Sequence, residues 1–119
     1  DTDKVLIEIG GDTSLINYLR FRALNALSLF PTENTASFLE LYAEKEFAPL
    51  ARRGFEALKR GFAKTQPQRV KRLATRLLVH PNAQVRISAA RFMRSVDAPR
   101  FKRFLNSESD SWVRKEAQK

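Results

Sequence analysis

The chain has 119 residues, 43% of them apolar, which suits one compact domain spanning 1–119 and is too short for two domains of ordinary size. It carries no cysteine and one histidine, so disulfides and thiolate metal sites are excluded and no metal or cofactor is expected. The net charge of +9 is unevenly spread, with four Lys/Arg against eight Asp/Glu in residues 1–50 and eighteen against five in residues 51–119, a bias that bears on acidic partners and not on fold.

In chain order, the first segment, KVLIEIGG at residues 4–11, has strand-like composition, but apolar residues elsewhere recur at helical intervals and the chain is read as all-α. Gly10-Gly11, Pro31, Pro49, Gly61, Pro67, Pro81 and Pro99 are expected to cut it into short helices, with Pro49 suited to opening one at its first turn. ASFLELYAEK, PQRVKRLATRLLVH and APRFKRFLN are amphipathic, as the stripe Val70, Leu73, Ala74 and Leu77 shows. Phenylalanines 21, 30, 38, 47, 55, 62, 92, 101 and 104 are spaced like core. No apolar run is long enough for a membrane span, and the start does not read as a signal peptide.

Between these segments lies a recurring register. LRFRALNAL from Leu19, LARRGFEAL from Leu50, VRISAARFM from Val85 and VRKEA from Val113 align, with anchors 31, 35 and 28 residues apart. Four residues after each anchor stands a small residue, Ala23, Gly54, Ala89 or Ala117, as required where two helix axes approach closely. Each repeat then reads as a helical hairpin, with approximate bounds 1–30, 31–64, 65–96 and 97–119. The last lacks the apolar positions seven and eight residues past its anchor, so a fragment or trimmed end of a longer array is expected. Asn82 and Asp110, each three residues before an anchor, are suited to cap the helix that follows.

LLVHPNAQVRISAARFM and FLNSESDSWVRKEA resemble HEAT-type repeats of the short bacterial kind, in which a turn is followed by Val-Arg, two variable residues and Ala. The resemblance covers residues 70–119 well and reaches Leu19 more loosely, with Ala51 and Gly54 departing from the pattern. It implies an α-α superhelix of about four stacked hairpins; the alternative is an unrelated small helical bundle. It also implies that Arg20, Arg86 and Arg114 are structural, bonding turn groups of their own or adjacent repeats. His80 falls on a turn position of the family, where a histidine bonds backbone or water. A catalytic base there would need a nucleophile or substrate partner that the sequence does not offer.

At 100° per residue, offsets 0, 4, 5, 7 and 8 from each anchor share an apolar arc, and offsets 3, 6, 9 and 10 share the opposite one. The second arc carries Arg22, Arg53, Lys59, Arg60, Arg91 and Arg94, with Glu56 as its one acid. The resemblance implies that this ribbon lines a basic concave groove. Tyr18 and Trp112, one residue before their anchors, would stack on bases or a ligand if exposed, or pack on the preceding helix. Arg69, Arg72 and Arg76, with Lys102 and Arg103, form a second basic set on the first helices, expected to be solvated charge. Glu40, Glu44 and Glu46 could pair with that set in a neighbouring molecule.

Three functions compete. The preferred one is a non-catalytic binding scaffold whose basic groove takes an acidic protein partner. The runner-up is a nucleic-acid-binding module contacting phosphates through the six-residue ribbon, losing on the order of a thousandfold in affinity between 50 and 200 mM salt. Third is an enzyme, because alkylpurine DNA glycosylases build an active site on HEAT-like repeats and some bilin lyases carry related ones. Glu56 is the only inward acid, no aromatic cluster lies near it, and no catalytic motif occurs, so no catalytic residue is assigned. The compartment stays open between cytoplasm, slightly preferred, and periplasm or exterior after processing, since the chain begins with Asp1 rather than Met.

Overall fold

The computed structural model describes residues 1–46 and 48–119, so Phe47, expected in the core, lies outside the described residues. Eight helices follow one another: α1 (Thr2–Gly11), α2 (Asn17–Leu27), α3 (Glu33–Lys45), α4 (Ala48–Phe62), α5 (Pro67–Leu77), α6 (Ala83–Val96), α7 (Ala98–Ser107) and α8 (Ser111–Ala117). No strand occurs among the described residues, and none of these helices is long and apolar enough to cross a membrane. The strand-like KVLIEIGG is the body of α1.

Helix starts follow local chemistry. The Asn82 side chain accepts from the N–H groups of Gln84 and Val85, and Asp110 from those of Trp112 and Val113, satisfying donors that the first turn leaves unpaired. Thr32 and Asp97 cap α3 and α7 in the same way. Pro49 lies in the first turn of α4, and Pro67 and Pro99 in those of α5 and α7, where a missing N–H costs nothing. Gly61 stands in the last turn of α4, one residue before the helix ends as expected, and its bare Cα lets the Ser28 carbonyl just past α2 come close. A Cβ on Gly61 would stand 3.1 Å from that oxygen.

Packing runs in two directions. Within successive pairs, α1 meets α2, α3 meets α4 and α5 meets α6, while α7 and α8 both lie against α6. Across pairs, α2 contacts α4, α4 contacts α6 and α6 contacts α8. The small residues Ala23, Gly54, Ala89 and Ala117 are all buried, and a Cβ on Gly54 would meet the Tyr42 ring at 3.1 Å. Anchors Leu50, Val85 and Val113 are buried. Leu19 departs from this, being 45% exposed, because no described helix precedes α2 on that flank. Phe55, Phe62, Phe101 and Phe104 are buried, Phe21, Phe38 and Phe92 pack partly buried against the core, and Phe30 is half-buried.

Arginines tie the turns together. Arg20, 3% exposed, donates to the Gly10 carbonyl at 2.9 Å and to Glu46 at 2.6 Å. Arg86 donates to the carbonyls of His80 and Pro81 in its own turn and to Glu108 in the next, and Arg114 donates to the Glu108 carbonyl. On α4 the residue after Leu50 is Ala51, and further ion pairs join the odd-numbered helices α3 and α5. There Arg69 of α5 pairs with Glu33 and Glu40 of α3, and Arg76 with Glu44. Arg69 first, then Ser37, holds the Glu33 carboxyl down at about 2. Glu40 and Glu44 are therefore used within the molecule rather than by a neighbouring copy, and Arg69 is not solvated charge; folding of one chain brings the two sets side by side at no entropic cost of association. Arg72, Lys102 and Arg103 remain exposed.

The contact at Gly61 is against backbone, which cannot rotate away. Gly61→Val should lower stability by about 1–3 kcal/mol through overpacking, seen as a reduced urea midpoint with an unchanged slope.

Candidate functional site

A polar recess lies between α4 and α6. On α4, Arg52, Glu56 and Lys59 fall at i, i+4 and i+7, and on α6, Gln84, Ile87, Ser88 and Arg91 fall at i, i+3, i+4 and i+7, so each set occupies one helix face. These seven residues line a space of about 230 Å³. An adjoining space of about 300 Å³ shares Arg52 and Gln84 and adds Pro49, Arg53 and Asn82.

The charges inside are unequal in availability. Glu56 is held by Lys59 at 2.8 Å and accepts from the Ser88 hydroxyl at 3.0 Å, so the acid that could repel an anion is already engaged. Arg91 donates from two nitrogens to the Glu116 carbonyl of α8, at 2.9 and 3.1 Å, yet stays exposed. The Arg53 guanidinium sits 4.0 Å over the Phe21 ring. Burial there, reinforced by the charge of Arg52, holds its pKa below the usual guanidinium range. Arg52 is half-buried, and no ion pair or hydrogen bond of its side chain is found among the described residues.

Of the six ribbon cations read from the sequence, Lys59, Arg91 and Arg53 converge here, and the other three do not. Arg22 lies on α2 beside a different, apolar groove, where it donates to the Tyr18 hydroxyl at 2.8 Å. Arg60 and Arg94 stand exposed in the last turns of α4 and α6, lining neither space. Arg52 and Gln84 were missed by sequence reasoning, although the helical wheel carries the signal: their offsets, 2 and −1, fall at 200° and 260°, inside the polar arc. Tyr18 and Trp112 are 59% and 46% exposed. Trp112 lines neither recess.

His80 is a turn residue. Its Nδ1 accepts from the Asn82 N–H at 3.0 Å, which places the remaining proton of the neutral ring on Nε2. Burial, and then the charge of Arg86, lowers its pKa from 6.5. No group of three or more His, Cys, Asp or Glu side chains is placed to hold a metal ion among the described residues. Set against known protein-family models, curated proteins and solved structures, the chain matches none, so the reading of the site rests on its geometry.

The lowered His80 pKa makes a signed prediction. The unfolded chain binds the proton more readily, so the contribution to stability is complete above pH 6.5 and is lost as pH falls through the lower folded value. Urea midpoints of the wild type should therefore decline between about pH 7 and 5 relative to those of His80→Asn, whose side-chain oxygen can still accept the Asn82 N–H.

Proposed function

We propose that the chain is a non-catalytic binding scaffold, a HEAT-like solenoid of four helical hairpins, and that the α4–α6 recess receives an acidic segment of a partner protein. The succession of contacts from α2 through α4 and α6 to α8 supports the solenoid reading, as do the arginines that join neighbouring turns. The observation that carries the functional reading is the convergence of Arg52, Lys59 and Arg91 on one polar space, with Arg53 adjoining.

A carboxylate side chain fits that recess. Arg52 supplies a planar pair of donors, Gln84 a neutral one, and Ile87 an apolar wall that strengthens the charge pairing by excluding water. Phosphate contacts by a duplex fit less well, because Arg22, Arg60 and Arg94 lie outside the recess and a single junction offers few phosphate partners. A glycosylase-like site is not supported: Glu56 is engaged by Lys59 and Ser88, and the recess has no aromatic lining to hold a base.

A labelled Asp/Glu-rich peptide titrated at low and moderate salt tests the reading. The expected result is binding that weakens about tenfold in Arg52→Glu, one such factor corresponding to 1.4 kcal/mol, with circular dichroism melting matched to the wild type. Peptide binding no tighter than that of a charge-matched basic protein removes the proposal. Tighter binding of duplex DNA or RNA than of the peptide at moderate salt replaces it with the nucleic-acid reading.

A further inference from the structure

The space that adjoins the α4–α6 recess holds more positive charge than one carboxylate balances. Its volume of about 300 Å³ is lined by Pro49, Arg52 and Arg53 of α4 and by Asn82 and Gln84 at the start of α6, and no acidic residue is among this described lining. The side chain of Arg52 has no ion pair or hydrogen bond among the described residues, and Arg53 rests 4.0 Å over the Phe21 ring. A ring face attracts a cation without cancelling its charge, and it leaves the N–H edge of the guanidinium able to donate. Glu56 lines only the neighbouring recess, where Lys59 and Ser88 engage it. Two guanidinium charges therefore share one space without a counter-ion. After burial, the charge of Arg52 is what lowers the Arg53 pKa, so the two cations feel each other.

The neutral residues of the lining are donors as well. The Asn82 Oδ1 accepts from the N–H groups of Gln84 and Val85, at 2.8 and 3.3 Å, which leaves its Nδ2 protons to donate. The Gln84 side chain has no hydrogen bond among the described residues, so its amide is free to do the same. An occupant must then supply about two negative charges and several acceptor oxygens on one small group. A carboxylate brings one charge and two oxygens, and a phosphodiester link of nucleic acid also brings one charge. A phosphate monoester brings about −1.5 to −2 charges at pH 7 and three acceptor oxygens. Pro49 is the one apolar residue of the lining, which suits the short aliphatic stem of phosphoserine or phosphothreonine better than an aromatic ring.

We infer that the acidic partner segment carries a phosphorylated serine or threonine, whose phosphoryl group is gripped by Arg52 and Arg53 in this adjoining space with Asn82 and Gln84 donating to it. The inference rests on the acidic-segment reading of the α4–α6 recess and names the residue that makes such a segment specific. Arg52 lines both spaces, so carboxylates beside the phosphorylated residue reach Lys59 and Arg91 in the recess while the phosphoryl group occupies its neighbour. Recognition of phosphorylated segments by arginine clusters works through such paired, charge-assisted hydrogen bonds.

Two labelled peptides provide the test by fluorescence anisotropy, an Asp/Glu-rich sequence with one central serine and the same sequence phosphorylated there. The wild type should bind the phosphopeptide about tenfold more tightly. Arg53→Gln should remove most of that advantage while leaving the unphosphorylated peptide within about twofold of its wild-type affinity. Arg53→Lys keeps a cation beside the Phe21 ring for folding but lacks the planar fork, and should retain about a third of the advantage. Equal affinity of the wild type for the two peptides overturns the inference and leaves the acidic-segment reading standing, whereas failure of both peptides to bind overturns both. An advantage undiminished in the two Arg53 variants also overturns the inference, because the phosphoryl group would then sit elsewhere. So does displacement of the labelled phosphopeptide by inorganic phosphate, a short DNA duplex or vesicles containing a phosphorylated inositol lipid at lower concentration than by the unlabelled phosphopeptide.

Discussion

Helices α4 and α6 each pack against the odd-numbered helix before them and against the even-numbered helix before that, and the close contacts made there set the rest of the structure. Gly54 against Tyr42 and Ala43 is one such contact, and Gly61 against the Ser28 carbonyl is another. Both depend on a missing side chain, since protein interiors leave no slack for an extra carbon near backbone. Leu50, Val85 and Val113 are buried in the same core, which runs through successive helices.

The same arrangement decides which charges are available. Arginine immediately after the anchor points toward the turns, and Arg20, Arg86 and Arg114 spend their donors on carbonyls and carboxylates there. On the odd-numbered helices the acidic first half and the basic second half meet across α3 and α5, where Arg69 and Arg76 take up Glu33, Glu40 and Glu44. A large positive charge therefore does not translate into a uniformly basic surface. What remains includes a cationic recess between α4 and α6 and dispersed exposed cations such as Arg60, Arg72, Arg94, Lys102 and Arg103.

The two recesses differ in kind because of where they stand in the row. Between α4 and α6 both walls are helix, and the polar residues that would otherwise be stranded there are paired with one another, Glu56 with Lys59 and Ser88. Beside α2 no second wall is found among the described residues, and Leu19 is 45% exposed, whereas Phe92, the counterpart of Ala26 on α6, packs against Phe55 of α4 at 5.9 Å. Chemistry at equivalent positions is similar, and exposure differs by neighbour.

The amino-acid sequence by itself determined the helices, their caps at Asn82 and Asp110 and the small residues at the close approaches, because these follow from interactions within a turn or two of one helix. It placed His80 in a turn, and the hydrogen bond from Asn82 is likewise local. Only the tertiary structure decided that Leu19 is exposed, that Gly61 lies against the Ser28 carbonyl, that Arg52 and Gln84 join the cationic recess while Arg22 does not, and that Glu40 and Glu44 are consumed internally. Periodicity states which residues share a face of a helix; what covers that face depends on segments about 30 residues distant, and no local pattern encodes them.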